Sequence, residues 1–136
     1  MQDLLFRMIK FKKENKELLS FLLFESEDEK SFITEIKFET EQEFKNMNSS
    51  NLYYAKKSIR KILRSINKYI RFSQNPETAI ELLLHFCKTL KDSGLDFSKS
   101  TALENLYQSQ IKKINKYLEL LHVDLQHDYK KLLRTL

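Results

Sequence analysis

The residues best suited to catalysis or metal binding are the three histidines and the single cysteine of this 136-residue chain. The segment HVDLQHD contains His122 and His127, which are five positions apart rather than the four that place two imidazoles on one helix face. On a helix we expect His122 near the apolar side and partly buried, and His127 in solvent. Asp124 could join His127, but such a pair supplies two ligands where a zinc site needs three or four. The sequence therefore predicts no metal site.

His85 and Cys87 are the other pair that could do chemistry, as a nucleophile and its base. They are two positions apart, so on a helix their side chains point about 200° away from each other. Cys87 shares an apolar face with Leu83 and Leu90, and a buried thiol without a nearby base is unreactive. His85 is expected to face outward. We therefore predict no catalytic residue.

Composition excludes two further kinds of site. Glycine-rich loops that cradle phosphates need several glycines, and this chain has one, Gly94. No histidine precedes residue 85, so the acids of residues 25–43 do not form the E-x-x-H pattern of di-iron bundles. We expect no cofactor and a non-enzymatic function, with an enzyme as the third class of function to consider.

The strongest functional signal is a basic stretch, KKSIRKILRSINKYIRF, which covers residues 56–72 and holds seven cations and no acid. At 100° per residue, its isoleucines and leucines fall within about 60° of Ile59, and its cations form a stripe about 20 Å long on the opposite face. No acid stands three or four positions away to neutralise them. The candidate binding residues of this face are Tyr53, Lys57, Arg60, Lys61, Arg64, Lys68 and Arg71.

The stripe could meet acids inside the chain or outside it. Residues 25–43 hold eight acids and two lysines, and the helix that they predict adjoins the basic helix across a short turn. Neighbouring antiparallel helices join their apolar faces, however, which leaves the opposite faces in solvent. Exposed ion pairs at the flanks would contribute only about 0–1 kcal/mol each.

Four interpretations of the cationic face remain open. It could be a solvated face without a ligand, or it could contact an acidic protein, the phosphate backbone of a nucleic acid, or an anionic membrane. Membrane binding would require the apolar face of this helix, which we expect to be used in the core. We expect a small adaptor or regulatory module that binds an acidic partner protein, with non-specific nucleic-acid binding by the same residues as the alternative.

The elements that position these residues are predicted to be helices. One glycine and one proline are too few for the turns of a β-rich fold. We expect one all-α domain, residues 1–136, with five or six helices in an irregular bundle or a short stack of helix pairs. The first two predicted helical segments are 3–24, with a break near Asn15, and a segment capped by Ser26 or Asp28 that ends near Asn46. The next two are Ser50–Phe72 and Pro76–Asp92, the latter with Asn75 as its cap and Gly94 as its stop. The last is a long helix from Ser100 with a bend near His122 or Gln126.

One short sequence recurs. INKYI at residues 66–70 returns as INKYL at residues 114–118. Duplication of a helix pair and convergent heptad-like patterning would both produce this similarity.

The sequence also favours a cytoplasmic protein. No apolar run approaches the roughly 20 residues that span a bilayer. The N-terminal segment MQDLLFRMIKFKKEN lacks the basic start, apolar middle and small-residue cleavage site of a signal peptide. A homo-oligomer is compatible with this composition, and a membrane partner is not expected.

The run YYAKKSIRKILRSINKYI, the helix start N-P-E and the segment IELLLHFC resemble a bacterial family of small all-helical proteins of unknown function. The shared feature is a basic, tyrosine-led helix followed by an apolar helix, over about residues 32–90. The resemblance implies an all-α fold and a bacterial cytoplasmic protein, and it brings no catalytic residue with it.

Overall fold

A computed structural model describes residues 4, 6–8, 12–25 and 27–136. These residues form helices and turns, with no strand among them, which confirms the expected all-α class. The chain divides into two compact units, Met1–Phe32 and Ile33–Leu136, and the single-domain organisation stays a prediction. The α-helices are α1 (Lys13–Ser20), α2 (Glu29–Lys45), α3 (Leu52–Ser73), α4 (Pro76–Asp92), α5 (Thr101–Leu118) and α6 (Val123–Arg134), with a π-helical turn at Phe21–Glu25 and a 3-10 turn at Phe97–Lys99.

The helix count differs slightly from the expected five or six. Leu4 and Phe6–Met8 are also helical, which brings the described chain to seven helices. The additional helix arises because the long helix expected after Ser100 is interrupted. Residues 119–121 form turns in which each amide bonds only three or four residues back, and His122 is extended (φ −59°, ψ 148°). The expected bend near His122 is thus a complete break.

In the first unit, the break in the N-terminal helical segment lies at Lys12 rather than near Asn15. Lys12 is extended (φ −138°, ψ 135°) and precedes α1. Asn15 lies in the first turn of α1, where its Nδ2 donates to the carbonyl of Met8 at 2.8 Å. Asparagine side chains near a helix start often bond to the neighbouring backbone in this way. Asn15 therefore lies just after the break, inside the first turn of α1.

The helix starts follow local capping chemistry. Of the two expected caps of α2, Asp28 accepts from the amide of Ser31 at 3.2 Å and from its hydroxyl at 2.8 Å, and Ser26 lies outside the described residues. Pro76 occupies the first turn of α4, where its missing N–H costs nothing. The remaining caps are Asn51 for α3, Asn75 for α4 and Ser100 for α5, each of which accepts from a backbone amide of its own first turn.

Two left-handed residues end the central helices. Gly94 (φ 81°) follows α4, as expected from its lack of a Cβ. Gln74 (φ 54°) ends α3 in the same conformation, with its amide bonded to the carbonyl of Ile70. Gln74 and Asn75 together form the whole connection between α3 and α4.

In the second unit, α4 is the central helix. It packs against α3 and α5, and its side contacts with α2 include the tilted ring pair of Phe44 and Phe86, whose centroids are 5.8 Å apart. Because neighbours cover α4 on several sides, its sequence IELLLHFC is apolar over most of its surface. Its buried residues are Thr78, Ala79, Ile80, Leu82, Leu83, Phe86, Cys87 and Leu90.

The helix α3 is amphipathic, as its periodicity predicts. One face is buried, and Leu52, expected on this face, is only half-buried at the first position of the helix. Burial of this apolar face is worth about 1.5–3 kcal/mol for each large side chain before the entropy of ordering is subtracted. The buried residues are Ala55, Ile59, Ile62, Leu63, Ile66, Ile70 and Phe72.

The similarity between INKYI and INKYL has a packing explanation. In both copies the first and last residues are buried, Ile66 and Ile70 in α3 and Ile114 and Leu118 in α5. Positions four apart lie on one face of a helix, so each copy supplies the same piece of core. The core requirement alone accounts for the matched apolar positions.

Candidate functional site

The seven candidate binding residues lie on the face of α3 that points away from its buried side, and we call this set the basic face. Five of its six cations are exposed, and Lys68 is half-buried. The buried side of α3 holds Ala55, Ile59 and Ile66 at 0–2% exposure, so the two faces separate as cleanly as the sequence predicts. The structure therefore brings the candidate residues together on one surface of the second unit. Their role in binding stays a prediction.

Aromatic rings accompany the cations at the N-terminal end of the basic face. Tyr53 and Tyr54 are 59% and 47% exposed, and their rings meet edge to face with centroids 5.4 Å apart. The Lys57 Nζ lies 5.1 Å from the centre of the Tyr53 ring. At the other end, the Lys68 Nζ lies 4.8 Å from the Tyr69 ring. Such cation–π contacts are worth about 0.5–1 kcal/mol at exposed sites, so they orient the lysines only weakly.

Four cations of the basic face have no ion-pair partner among the described residues. These are Lys57, Arg60, Lys61 and Arg64. Two charged residues of the neighbouring α2 pair with α4 instead: Glu41 meets His85, and Lys37 meets Glu81. The middle of the basic face therefore presents unneutralised positive charge to solvent.

A second group of charged residues joins α2, α4 and α6, and we call it the polar seam: Lys37, Glu41, Glu77, Glu81, His85 and Tyr129. The Lys37 Nζ lies 3.0 Å from Glu81 Oε2. The Tyr129 hydroxyl lies 2.9 Å from Glu77 Oε1 and 3.1 Å from Glu81 Oε1. A single hydroxyl proton serves both carboxylates, so one phenol ties α6 to two successive turns of α4.

His85 lies inside the polar seam, and the expectation that it faces outward is wrong. Its Nε2 is 3.2 Å from the carbonyl oxygen of Lys37 and 3.3 Å from Glu41 Oε1. Both neighbours are acceptors, so Nε2 carries a hydrogen and donates it. Burial lowers the pKa of His85, an effect that Glu41 opposes and the nearby cations Lys37 and Lys88 reinforce. The imidazole is therefore held as a neutral donor between α2 and α4.

Tyr129 is the buried anchor of α6 in the second unit. Burial and the hydrogen bonds to Glu77 and Glu81 raise the pKa of its phenol far above the usual value. A phenol beside two carboxylates stays protonated, because its ionisation would add a third negative charge at the same place. The hydroxyl of Tyr129 thus acts as a fixed hydrogen-bond donor, and its buried ring packs α6 against the second unit's core.

The sequence contains a signal for the polar seam. Glu77, Glu81 and His85 recur every four residues within a mostly apolar part of α4, residues 76–87. Residues four apart share a face, so this pattern predicts a polar strip along α4. The partners from α2 and α6 could not be identified, because their meeting depends on how three separate helices pack.

The remaining candidates for chemistry are not assembled into a site. Cys87 is fully buried, and burial raises the pKa of its thiol to about 12, in agreement with the expected inert thiol. His122 is exposed rather than partly buried, because it caps α6: its Nδ1 accepts from the amide of Asp124 at 3.3 Å. His127 is exposed, as expected. Across the described part of the chain, no three histidine, cysteine or acidic side chains gather in a way that could hold a metal ion.

Comparison with known proteins adds no family. No family model, curated protein or solved structure matches the chain. The resemblance to a bacterial family of small helical proteins therefore stays an expectation. Within the described ranges, none of the helices has the length and apolar character needed to cross a membrane.

Proposed function

We propose that this protein is a non-enzymatic adaptor or regulatory module that binds an acidic segment of a partner protein through the basic face of α3. The observation that carries the proposal is the row formed by Lys57, Arg60, Lys61 and Arg64, which are exposed and have no ion-pair partner among the described residues. Aspartate and glutamate side chains of a partner would supply the missing counter-charges.

The residue types of the basic face favour a protein partner. Tyrosine and arginine are enriched at protein interfaces and at the positions that contribute most to binding. Tyr53 and Tyr54 form an exposed aromatic pair beside the first cation, Lys57. An acidic segment with an apolar residue near one end would fit both features. Since the charge pairs would be exposed, they contribute mainly to the rate and specificity of association.

Charge elsewhere in the chain also favours a short acidic segment over a long polyanion. The net charge of the whole chain is only +5, because residues 25–43 carry eight acids. A long polyanion binds best to a protein with a large overall positive charge. A peptide that follows the roughly 20 Å of α3 needs only the local charge of the basic face.

Non-specific nucleic-acid binding is the second candidate, and Tyr53 favours it. Its exposed ring lies next to Lys57, and single-stranded binding sites combine stacking aromatics with cations along the backbone. In this function the same residues would contact phosphates and one base. The measurement that separates the two candidates is the dependence of binding on salt and on the type of polymer.

The experiment uses charge reversal with a matched control. Arg60→Glu with Arg64→Glu reverses two neighbouring turns of the basic face. Lys112→Glu with Lys116→Glu reverses two exposed lysines at the same spacing on α5. We expect an acidic partner to be captured from cell extract by the native protein and by the control, and at least tenfold less by the first variant. Loss of the partner from both variants, or from neither, contradicts the proposal.

Anisotropy with labelled single-stranded DNA and RNA tests the second candidate. Nucleic-acid binding through three or four phosphates should weaken by one to two orders of magnitude between about 50 and 200 mM salt. If the native protein binds these polymers at 50 mM salt and Arg60→Glu with Arg64→Glu abolishes the binding, the second candidate replaces the first. If no binding occurs at 50 mM salt, nucleic-acid binding is excluded.

A further inference from the structure

A groove of about 260 Å³ lies along α4 between α2 and α6, away from the use proposed for α3. It is lined by both polar and apolar side chains. Ligand sites combine apolar walls with a few convergent polar groups in this way, although most are larger. The lining residues are Lys37, Glu81, Leu84, His85, Lys88, Tyr129, Leu132, Thr135 and Leu136.

One side of the groove is closed by the polar seam. Glu81 has both oxygens occupied, Oε2 by Lys37 at 3.0 Å and Oε1 by Tyr129 at 3.1 Å. This bridge spans the groove from α2 to α6. Because its charges are already matched, it offers no strong attraction to a ligand of either sign.

The other end of the groove carries positive charge that is not matched. Lys88 is seven residues after Glu81, about 10 Å further along α4. It is exposed and has no ion-pair partner among the described residues. Lys88 is also close enough to His85 to act on its charge. An anion is the ligand that this end would attract.

The wall between these two ends is apolar. Leu84 comes from α4 and Leu132 from α6, and Leu132 is 52% exposed although it lines the groove. A ligand that covers these leucines gains about 25 cal/mol for each Å² of apolar surface removed from water. The groove thus combines one cationic end with an apolar wall.

We propose that this groove binds a small amphipathic carboxylate, with its anionic group at Lys88 and its alkyl chain against Leu84 and Leu132. The volume of about 260 Å³ lies just below the usual range of ligand pockets, so the groove suits a short-chain ligand. Hexanoate, with eight non-hydrogen atoms, is such a probe. The proposal does not depend on the function of the basic face.

Titration followed by NMR tests the proposed ligand class with four probes. Hexanoate should shift the amide signals of residues 84–88 and 132–136. Hexanol has the chain without the charge, and acetate has the charge without the chain. Dodecanoate has the same charge and twice the number of carbons. We expect each of these three to bind at least tenfold more weakly than hexanoate.

Two exposed positions allow the site to be changed without loss of the fold. Lys88→Glu should weaken hexanoate binding at least tenfold, and Leu132→Ser should weaken it several-fold. Lys112→Glu, which changes the same net charge on α5, should leave binding unchanged. Equal losses in Lys88→Glu and Lys112→Glu would show that net charge is responsible, and the site would be wrong.

The imidazole of His85 supplies a second readout. A carboxylate beside it should raise its pKa, in a direction opposite to the effect of Lys88 and Lys37, while Glu41 acts equally with and without ligand. The ring signals of the exposed His127 should not respond. Hexanol binding as tightly as hexanoate, an unchanged pKa of His85, or signal shifts confined to other residues would each overturn the proposal.

Discussion

The basic face of α3 and the polar seam of α4 are both rich in charge, and they treat it in opposite ways. In the seam, Lys37, Glu81 and His85 each have an oppositely charged or hydrogen-bonding partner from another helix. On the basic face, Arg60 and Arg64 have no ion-pair partner among the described residues. The two surfaces belong to the same unit, and a connection of two residues links their helices.

Burial accounts for the difference. The side chains of Lys37 and Glu81 are each 33% exposed, and that of His85 is 18% exposed. Charges that lose water at this depth are costly unless they are paired, so the fold supplies partners. The exposed arginines keep their water and cost little when unpaired. In this molecule, paired charge therefore accompanies burial, and unpaired charge accompanies exposure.

The largest effect that sharpens this comparison is expected from Tyr129→Phe. The substitution keeps the ring and removes the donor that Glu77 and Glu81 share, at a cost of about 1–2 kcal/mol in the free energy of unfolding, since these carboxylates retain some contact with water. Urea denaturation measures it. Tyr117→Phe, at a half-buried phenol of α5, is the control. If both substitutions cost the same, the hydrogen bonds of Tyr129 to Glu77 and Glu81 do not stabilise the fold, and the contrast with the basic face fails.

A smaller effect concerns pH. Burial lowers the pKa of His85 below the value of 6.5 that it has in the unfolded chain, so the unfolded state binds more protons between the two values. The stability contribution is therefore complete above about pH 6.5 and is lost as the pH falls through the folded pKa. His85→Gln should remove this slope from unfolding curves between pH 5 and 7, while His127→Gln at an exposed site should keep it. A slope that persists in His85→Gln would assign it to other groups.

The smallest effect is expected on the basic face. Arg60→Gln with Arg64→Gln removes two like charges one turn apart, so the free energy of unfolding should rise slightly or stay within about 0.5 kcal/mol. Lys112→Gln with Lys116→Gln on α5 is the matched pair. A loss above 1 kcal/mol in the first variant alone would mean that these arginines hold the fold together, and the contrast between the two surfaces would fail.

Much of the fold could be predicted because its signals are local. The cap at Asn75, the stop at Gly94 and the amphipathic face centred on Ile59 depend on residues within one or two turns. Each of these was found at the predicted place. Residue type alone does not assign a face: Phe38 of α2 is 61% exposed, whereas Thr40 is buried with Ile36 and Phe44, which lie four positions to either side of it.

The candidate sites also differ in whether their residues come from one helix or from several. The basic face lies on one helix, so periodicity alone could assemble Tyr53, Lys57 and Arg60 on one surface. The polar seam and the groove need residues from α2, α4 and α6, and the distance between Lys37 and Tyr129 along the sequence is 92 positions. Nothing in a single sequence specifies that these residues meet. His85 and His122 were misplaced for this reason, since their surroundings come from tertiary packing and from a helix break.

Cys87 allows the opening of the central helix to be measured chemically. It is the single cysteine, it lies fully buried in α4, and its raised pKa leaves almost no thiolate at neutral pH. A thiol reagent can therefore react only in molecules whose central helix has transiently opened. The labelling rate measures how often that happens, and it does so without any substitution or attached probe. A ligand that binds next to α4 and stabilises the folded state would make such openings rarer. The labelling rate of Cys87 would then fall, and it would report ligand binding at any surface that α4 helps to form.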